Sequence, residues 1–283
     1  MIKPRMNIAA ALNSNYVRYT YVMLTSLFVN QDENWDIHIF LLQSDLTPEE
    51  KLCLEELVAS HQACLHWLTV DRSLFSADYL AVTKWSMETF YRLTLQDILP
   101  IEVDRILYLD VDMIINKSLT ELYTTDFEGN ILCACPEPYV APASADARSR
   151  FFQDHLKEGF MYFNAGMLLM NIEKMRGKYH LDTYLNLAKD LPYRLPTPDQ
   201  DLLNYVHWKE VKFVDTIKYN LPARFAFNLG VRYAEVKASV TIIHFLGNKP
   251  WNGKCDHFDI EQLWWDYAEM TPFYQQLAEE YLG

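Results

Sequence analysis

Strand-like and helix-like patterns alternate along roughly the first two hundred residues, and that order admits few folds. Asn7 to Leu12 is a short apolar run closed by Asn13 and Asn15, and reads as a strand. From Tyr16 to Asn30, apolar residues recur at Val17, Tyr21, Leu24 and Phe28, which is helical spacing. Asp36 to Gln43 reads as a second strand. Thr47-Pro48-Glu49-Glu50 predicts a helix start, with a cap, Pro at the first helical position and Glu three residues after the cap. That helix runs to about His61, and Leu65 to Val70 is a third strand. Ser86 to Asp97 reads as a helix capped by Ser86, with Glu88 in its first turn. Arg105 to Leu109 is an apolar strand, and Ile131 to Cys135 and Phe160 to Met170 are further strands. Thr197-Pro198-Asp199-Gln200 opens another helix with a second capping box. Val211 to Ile217 and Val240 to Phe245 are late strands, and Glu261 to Leu282 is a C-terminal helix. The β-α-β order predicts an α/β fold: a mainly parallel central sheet with helices on both faces.

Nothing along residues 1–283 reads as a linker, a repeat or a low-complexity tract, which points to one domain. Pro136 to Gly159 is long and irregular, as functional loops often are. Half of the chain is hydrophobic and 14% is aromatic, which excludes a disordered protein. No apolar stretch approaches the ~20 residues of a transmembrane helix. The net charge of −13 disfavours nucleic acid as a partner and, without a basic patch, anionic lipid as well. Lys3 and Arg5 precede an apolar run too short for a signal peptide. The five cysteines are scattered; only Cys133 and Cys135 are close, and alternation puts both on one strand face. Such a set suits a reducing cytosol. Glycine is scarce at eight, and the Gly-rich phosphate loops are missing, so any nucleotide must be held another way.

The strongest local signal is Ile106-Leu107-Tyr108-Leu109-Asp110-Val111-Asp112, an apolar strand ending in two carboxylates. Ligands of open α/β sheets sit beyond the carboxyl ends of strands. Two carboxylates there suit a shared hard cation, although a solvated acidic turn has the same pattern. An EF-hand loop is excluded, because Ile114 and Ile115 stand where it needs an oxygen ligand and Gly. A phosphatase forming an aspartyl-phosphate also places Asp-x-Asp after an apolar strand. It usually does so near the start of its domain, so this reading stays second.

Three further groupings stand out. In His244-Phe245-Leu246-Gly247-Asn248-Lys249-Pro250-Trp251 a His ends a strand. Gly247 then allows close backbone approach, and Lys249 can meet a phosphate as a point charge. Imidazole can complete a metal set, but a core histidine followed by a solvated lysine is the plain alternative. Asp199-Gln200-Asp201 falls in the first turn of a helix, where acidic residues also complement the helix dipole. Phe163-Asn164-Ala165-Gly166 heads an apolar strand, and its small residues suit a wall against which a ligand packs.

Taken in order, Asn13-Ser14-Asn15-Tyr16, Arg92, Asp110-Val111-Asp112, Phe163-Asn164-Ala165-Gly166, Asp199-Gln200-Asp201-Leu202-Leu203-Asn204 and His244 to Trp251 resemble the family 8 glycosyltransferases. The resemblance spans about residues 6–252, leaving 253–283 as a C-terminal helical extension. It implies a GT-A, Rossmann-like fold and a retaining hexosyltransferase. The donor would be UDP-glucose or UDP-galactose, with Mn²⁺ or Mg²⁺ as cofactor. The acceptor would be a glycan or glycolipid, as in bacterial lipopolysaccharide or capsule synthesis.

Carried over by motif, the resemblance implies metal ligation by Asp110, Asp112 and His244. It places Ala11, Asn13 and Asn15 along the uridine, with Val111 beside the metal carboxylates. Arg92, Asn164, Ala165, Asp199 and Gln200 would surround the donor sugar, and Gly247 and Lys249 the diphosphate. Gln200, Asp199 and Asp201 are the candidate catalytic residues. A neutral amide is a poor nucleophile, so front-face attack with Gln200 stabilising the transition state is the preferred mechanism. A self-glycosylating primer protein and a non-catalytic nucleotide-sugar binder are the other readings. The expected location is the cytoplasm, with peripheral contact at the inner membrane face open. The C-terminal helix, rich in Trp264, Trp265, Tyr267 and Phe273, packs on the sheet, forms a dimer contact or touches membrane. Having no Lys or Arg, it lacks a basic membrane anchor.

Overall fold

The computed structural model describes residues 3–75, 86–138, 159–191, 195–252 and 258–282. The loop expected over Pro136 to Gly159 lies mostly outside them, as does Cys255. Seven strands form the central sheet: β1 (Arg5–Ala11), β2 (Asp36–Gln43), β3 (Cys64–Thr69), β4 (Arg105–Leu109), β6 (Leu132–Pro136), β7 (Phe163–Asn171) and β8 (Val211–Phe213). Their order is β3-β2-β1-β4-β7-β6-β8. β7 runs antiparallel to β4 and β6, and the other four pairs are parallel. A smaller sheet holds β5 (Met113–Ile115), β9 (Leu221–Pro222) and β10 (Ile242–His244) in the order β5-β10-β9. The sequence pattern therefore gives the sheet, and it overruns β8, which ends at Phe213 before a short helix at Thr216–Tyr219.

The α-helices of at least seven described residues are α1 (Val17–Asn30), α2 (Pro48–Ser60), α3 (Leu181–Asp190), α4 (Pro198–His207), α5 (Tyr233–Ser239), α6 (Gln262–Ala268) and α7 (Tyr274–Tyr281). Strand alternation splits the core into two layers. Ile8, Ala10, Ile39, Leu41, Leu107 and Leu109 pack with the α1 and α2 residues Leu24 and Leu54. Ala9, Ala11, Phe40, Leu42, Ile106 and Tyr108 pack on the other side with Phe90, Tyr184 and Leu203. Covering both faces explains why β1 and β4 read as unbroken apolar runs.

Cys133 and Cys135 do share one layer, and both are buried free thiols. The C-terminal helix breaks into a 3₁₀ turn at Asp259–Glu261, α6 and α7, with Thr271 and Pro272 between the two helices. It packs on α1 and the small sheet, with Trp264, Trp265 and Trp251 in a third apolar cluster. Trp251 stacks on Tyr19 at 4.5 Å, and Arg18 meets Glu280 at 2.8 Å. Of the three expectations for these aromatics, packing inside the fold holds.

Two helix starts differ from expectation. Thr47 and Glu50 form the predicted capping box. Thr197, however, makes no side-chain cap; its backbone N–H donates to Asp201 Oδ2 at 2.8 Å. Ser86 likewise makes no side-chain cap, and the segment after it is 3₁₀ over Met87–Thr94 before one α turn at Leu95–Ile98.

Glu210, just past α4, receives the Lys178 ammonium and the Tyr179 hydroxyl. His207 beside it and those two donors hold its carboxyl down to about 2. A depressed acid stabilises the fold above its unfolded value, about 4.5, and loses that contribution as pH falls toward 2. Glu210→Gln should therefore lower the melting temperature at pH 7 and progressively less below about pH 4.5. An equal deficit at pH 7 and pH 3.5 would remove the charge from this contact.

Candidate active site

β1 and β4 lie side by side at the centre of the sheet, and the chain leaves β1 toward β2 on one side and re-enters the sheet after β4 at β6 on the other. This is a switch in strand order, and a crevice forms at the carboxyl ends there. A cleft of about 530 Å³ opens at that point. Ala11, Asn13, Arg92, Asp110, Val111 and Asp112 line it, and Gly247 and Lys249 close it from the other side.

His244 reaches the carboxylates through the small sheet. β10 pairs antiparallel with β5, which places His244 opposite Met113. The backbone N–H of Phe245 donates to the Asp112 carbonyl at 3.0 Å. His244 Nε2 lies 3.1 Å from Asp112 Oδ1 and 3.9 Å from Asp110 Oδ2, although 132 residues separate His244 from Asp112. One ligand atom from each of Asp110, Asp112 and His244 falls within a single 4.8 Å cluster.

Positive charge surrounds these acids. Lys249 sits on Asp112 Oδ2 and also donates to the Phe245 carbonyl at 2.7 Å. Burial pushes the Asp112 carboxyl up, but Lys249 and His244 outweigh it and hold the group well below the usual carboxylate range. Arg92 is buried and spans two acids, with NH2 2.8 Å from Asp110 Oδ1 and Nε 3.2 Å from Asp199 Oδ2. Its guanidinium lies 4.4 Å over the Tyr108 ring and donates to the Ala165 carbonyl. Asp199 is raised, first by burial and then by Asp110, with Arg92 opposing both.

Two glycines play different parts. Gly166 is the close approach: a Cβ there would meet His244 Cε1 at 2.4 Å and Asp110 Oδ2 at 2.8 Å. Its carbonyl also accepts from the Asp110 N–H at 2.8 Å. Gly247, expected to allow close approach, has open space around it; its φ of +80° is what requires glycine.

Several expected donor residues lie behind the cleft wall. Asn164 is buried, and its Oδ1 accepts from Gly166 N and Asn220 Nδ2, each at 2.9 Å. Its Nδ2 donates to Glu137 Oε2 at 2.8 Å. Ala165 N–H donates to Gln200 Oε1 at 2.9 Å. Asp201 is fully buried, and accepts from the Tyr162 hydroxyl at 2.6 Å and from Thr197 N. Asn15 is exposed and contacts the site through its N–H, which donates to Asn13 Oδ1 at 3.1 Å.

Sequence reasoning missed two residues. Asn220 Oδ1 lies 2.8 Å from His244 Nδ1, so it accepts that N–H and leaves Nε2 facing the carboxylates. Glu88 is buried and accepts from Asn13 Nδ2 at 2.9 Å in the cleft wall. Neither sits in a motif. Only the fold brings Asn220 beside His244, through the parallel pairing of β9 with β10.

An open α/β sheet with clustered carboxylates and an imidazole at its central carboxyl ends defines a class of ligand-handling enzyme folds. Residues 7–255 match the profile of Glycosyl transferase family 8, and the chain belongs to that family; its fold is GT-A. It is similar to the lipopolysaccharide 1,3-galactosyltransferase of Salmonella typhimurium, 26% identical over 88% of this chain and 73% of that protein. General stress protein A of Bacillus subtilis is 25% identical over 89% of each chain. Among solved structures, the galactosyltransferase LgtC in complex with donor and acceptor sugar analogues superposes with a TM-score of 0.79. That match covers 96% of this chain and all of LgtC at 22% identity. The family assignment makes the chain a glycosyltransferase and removes the phosphatase alternative. No described helix is long and apolar enough to cross a membrane.

Proposed function

We propose that this enzyme is a metal-dependent, retaining hexosyltransferase that takes glucose or galactose from a UDP-sugar and adds it to a cell-surface glycan or glycolipid. The convergence of Asp110 and Asp112, which line the cleft, with the buried His244 just behind them carries this reading. Two carboxylates and an imidazole whose tautomer is fixed from behind suit Mn²⁺ or Mg²⁺. The cradle also fits: only a glycine at 166 leaves room for His244 and Asp110 together. The name of the Salmonella relative supports the acceptor class.

Asp110, Asp112 and His244 would hold the cation, which adds positive charge beside the departing diphosphate. Lys249 stands on Asp112 at the cleft edge and turns to the diphosphate, adding charge as the sugar–phosphate bond breaks. Asn13, held by Glu88, presents to the uridine. Arg92 and Asp199 orient the donor sugar through their shared ion pair. Gln200 braces Ala165 from behind through its Oε1 and Asp201 fixes Tyr162, so both act by positioning. The acceptor hydroxyl attacks from the front face, since Asp199 is engaged by Arg92 and Asp201 is buried.

Thermal stabilisation tests the reading. UDP with Mn²⁺ should raise the melting temperature strongly, and much less with EDTA. Ligand at 100 times its dissociation constant adds roughly 2.7 kcal/mol. A larger response to ADP or GDP would reassign the base, and an equal response in EDTA would remove the cation from donor binding. Intact mass after incubation with the donor sugar separates transfer to an external acceptor from self-glycosylation.

A further inference from the structure

The opposite end of the sheet carries a second set of ligating groups that the transfer reaction does not use. Asp36 opens β2 and Cys64 opens β3, so both lie at the amino ends of parallel strands. The donor cleft lies at the carboxyl ends. Period-two geometry turns Asp36 and His38 to one face of β2. The β2–β3 register pairs His38 with Cys64. A carboxylate oxygen of Asp36, an imidazole nitrogen of His38 and the Cys64 sulfur all fall within 4.8 Å of one another.

We propose that Asp36, His38 and Cys64 form a second cation site, specific for a borderline-soft dication such as Zn²⁺ and distinct from the donor site. The ligand chemistry separates the two. Both sites offer an imidazole; the Cys64 thiolate favours zinc-type ions, whereas the two carboxylates of the donor site favour Mg²⁺ and Mn²⁺. His38 Nε2 lies 3.1 Å from Asp36 Oδ2, close to the edge of about 3.3 Å in a tetrahedron with bonds of about 2.0–2.1 Å. Three protein ligands leave a fourth position for water, and Cys64 is exposed, so that position faces solvent.

The surroundings fit the same use. His38 is buried, and its Nδ1 lies 2.8 Å from His66 Nε2. His66 lies edge to edge with His38, the ring centroids 5.1 Å apart, and stacks on Phe40 at 4.5 Å. With a cation bound, His38 Nδ1–H donates to His66 Nε2, and the lone pair of Nε2 is free for the ion. Cys64 enters as thiolate, releasing its proton to solvent. Arg5 lies opposite Asp36 in the β1–β2 register.

Co²⁺ is the probe, because a thiolate ligand gives a sulfur-to-cobalt charge-transfer band that an oxygen and imidazole site cannot. Titrating Co²⁺ into the reduced protein should raise this band to saturation by two equivalents, because the donor site takes up cobalt without giving the band, and excess Zn²⁺ should abolish it. Cys64→Ser should lose the band while keeping the wild-type melting temperature and transfer rate. His38→Gln should weaken binding at least tenfold. No band in the wild type, or an equal band in Cys64→Ser, overturns the site. Unchanged cobalt affinity in His38→Gln overturns the three-ligand set. Loss of donor-site activity would leave the cobalt band, its zinc competition and the melting temperature in place, so the two sites are tested separately.

Discussion

Gly166→Ala is expected to lower transfer at least a hundredfold while the sheet still folds. The added methyl would stand 2.4 Å from His244 Cε1, 2.8 Å from Asp110 Oδ2 and 3.0 Å from Asn164 Oδ1. None of these atoms is the loose end of a flexible chain. His244 is fixed from behind by Asn220, Asp110 is bound by Arg92, and Asn164 is bound by Asn220 and Glu137. Relief must therefore separate His244 from Asp110, and displacement by about 1 Å can cost 10²-fold in rate. Overpacking adds roughly 1–3 kcal/mol of destabilisation. The check is turnover alongside the Mn²⁺-dependent thermal shift with UDP. Both should fall, whereas circular dichroism should keep the wild-type secondary structure. Near-normal turnover in the alanine variant would mean that the imidazole and the carboxylate need not converge.

The fold was legible because strand periodicity and helix caps are local properties. Asp36 to Gln43 was read at its observed bounds, and the capping box at Thr47 and Glu50 formed as read. Caps failed where tertiary partners competed. The Thr197 hydroxyl pairs with the Tyr162 hydroxyl at 3.1 Å instead of capping, its N–H is taken by Asp201, and no periodic pattern encodes that exchange. The carboxylates and His244 were legible as motifs, since each ends an apolar strand. Their convergence needed the antiparallel pairing of β5 with β10, which the strand pattern alone leaves undetermined.

The same division runs through the site. Asn164, Ala165 and Gln200 were read as groups around a sugar. The structure uses their polar atoms to hold Gly166, Arg92 and Asn220 in place. A buried amide with every partner satisfied rigidifies its surroundings. The chain Glu137–Asn164–Asn220–His244 thus sets the imidazole tautomer from three residues away. Sequence shows which residue types are present; only the packing shows which of their polar atoms are already committed.

Asp199→Asn is expected to reduce turnover on the order of a hundredfold or more, with UDP binding retained and a modest loss of stability. Asp199 lies in the first turn of α4, where a charge contributes about 0.3–1 kcal/mol through the helix dipole. Its larger contact is the buried pair with Arg92 at 3.2 Å. Removing one partner of a buried pair can cost about 3–5 kcal/mol when the other is stranded. Here Arg92 keeps Asp110 at 2.8 Å and the asparagine oxygen can still accept from Nε, so most of that cost is avoided. On the proposed function, what the variant lacks is negative charge beside the donor sugar, where cationic character develops as the bond to the nucleotide breaks. The acid dependence follows from the same group. Burial first, and Asp110 next, raise the Asp199 carboxyl while Arg92 opposes them. Protonation of a raised acid begins at higher pH, so the acid limb of the wild-type rate profile should lie on the high side of an unperturbed aspartate. The residual rate of Asp199→Asn should lack that limb. Normal turnover in the variant would assign Asp199 to Arg92 alone, and an unchanged acid limb would assign the titration to another group.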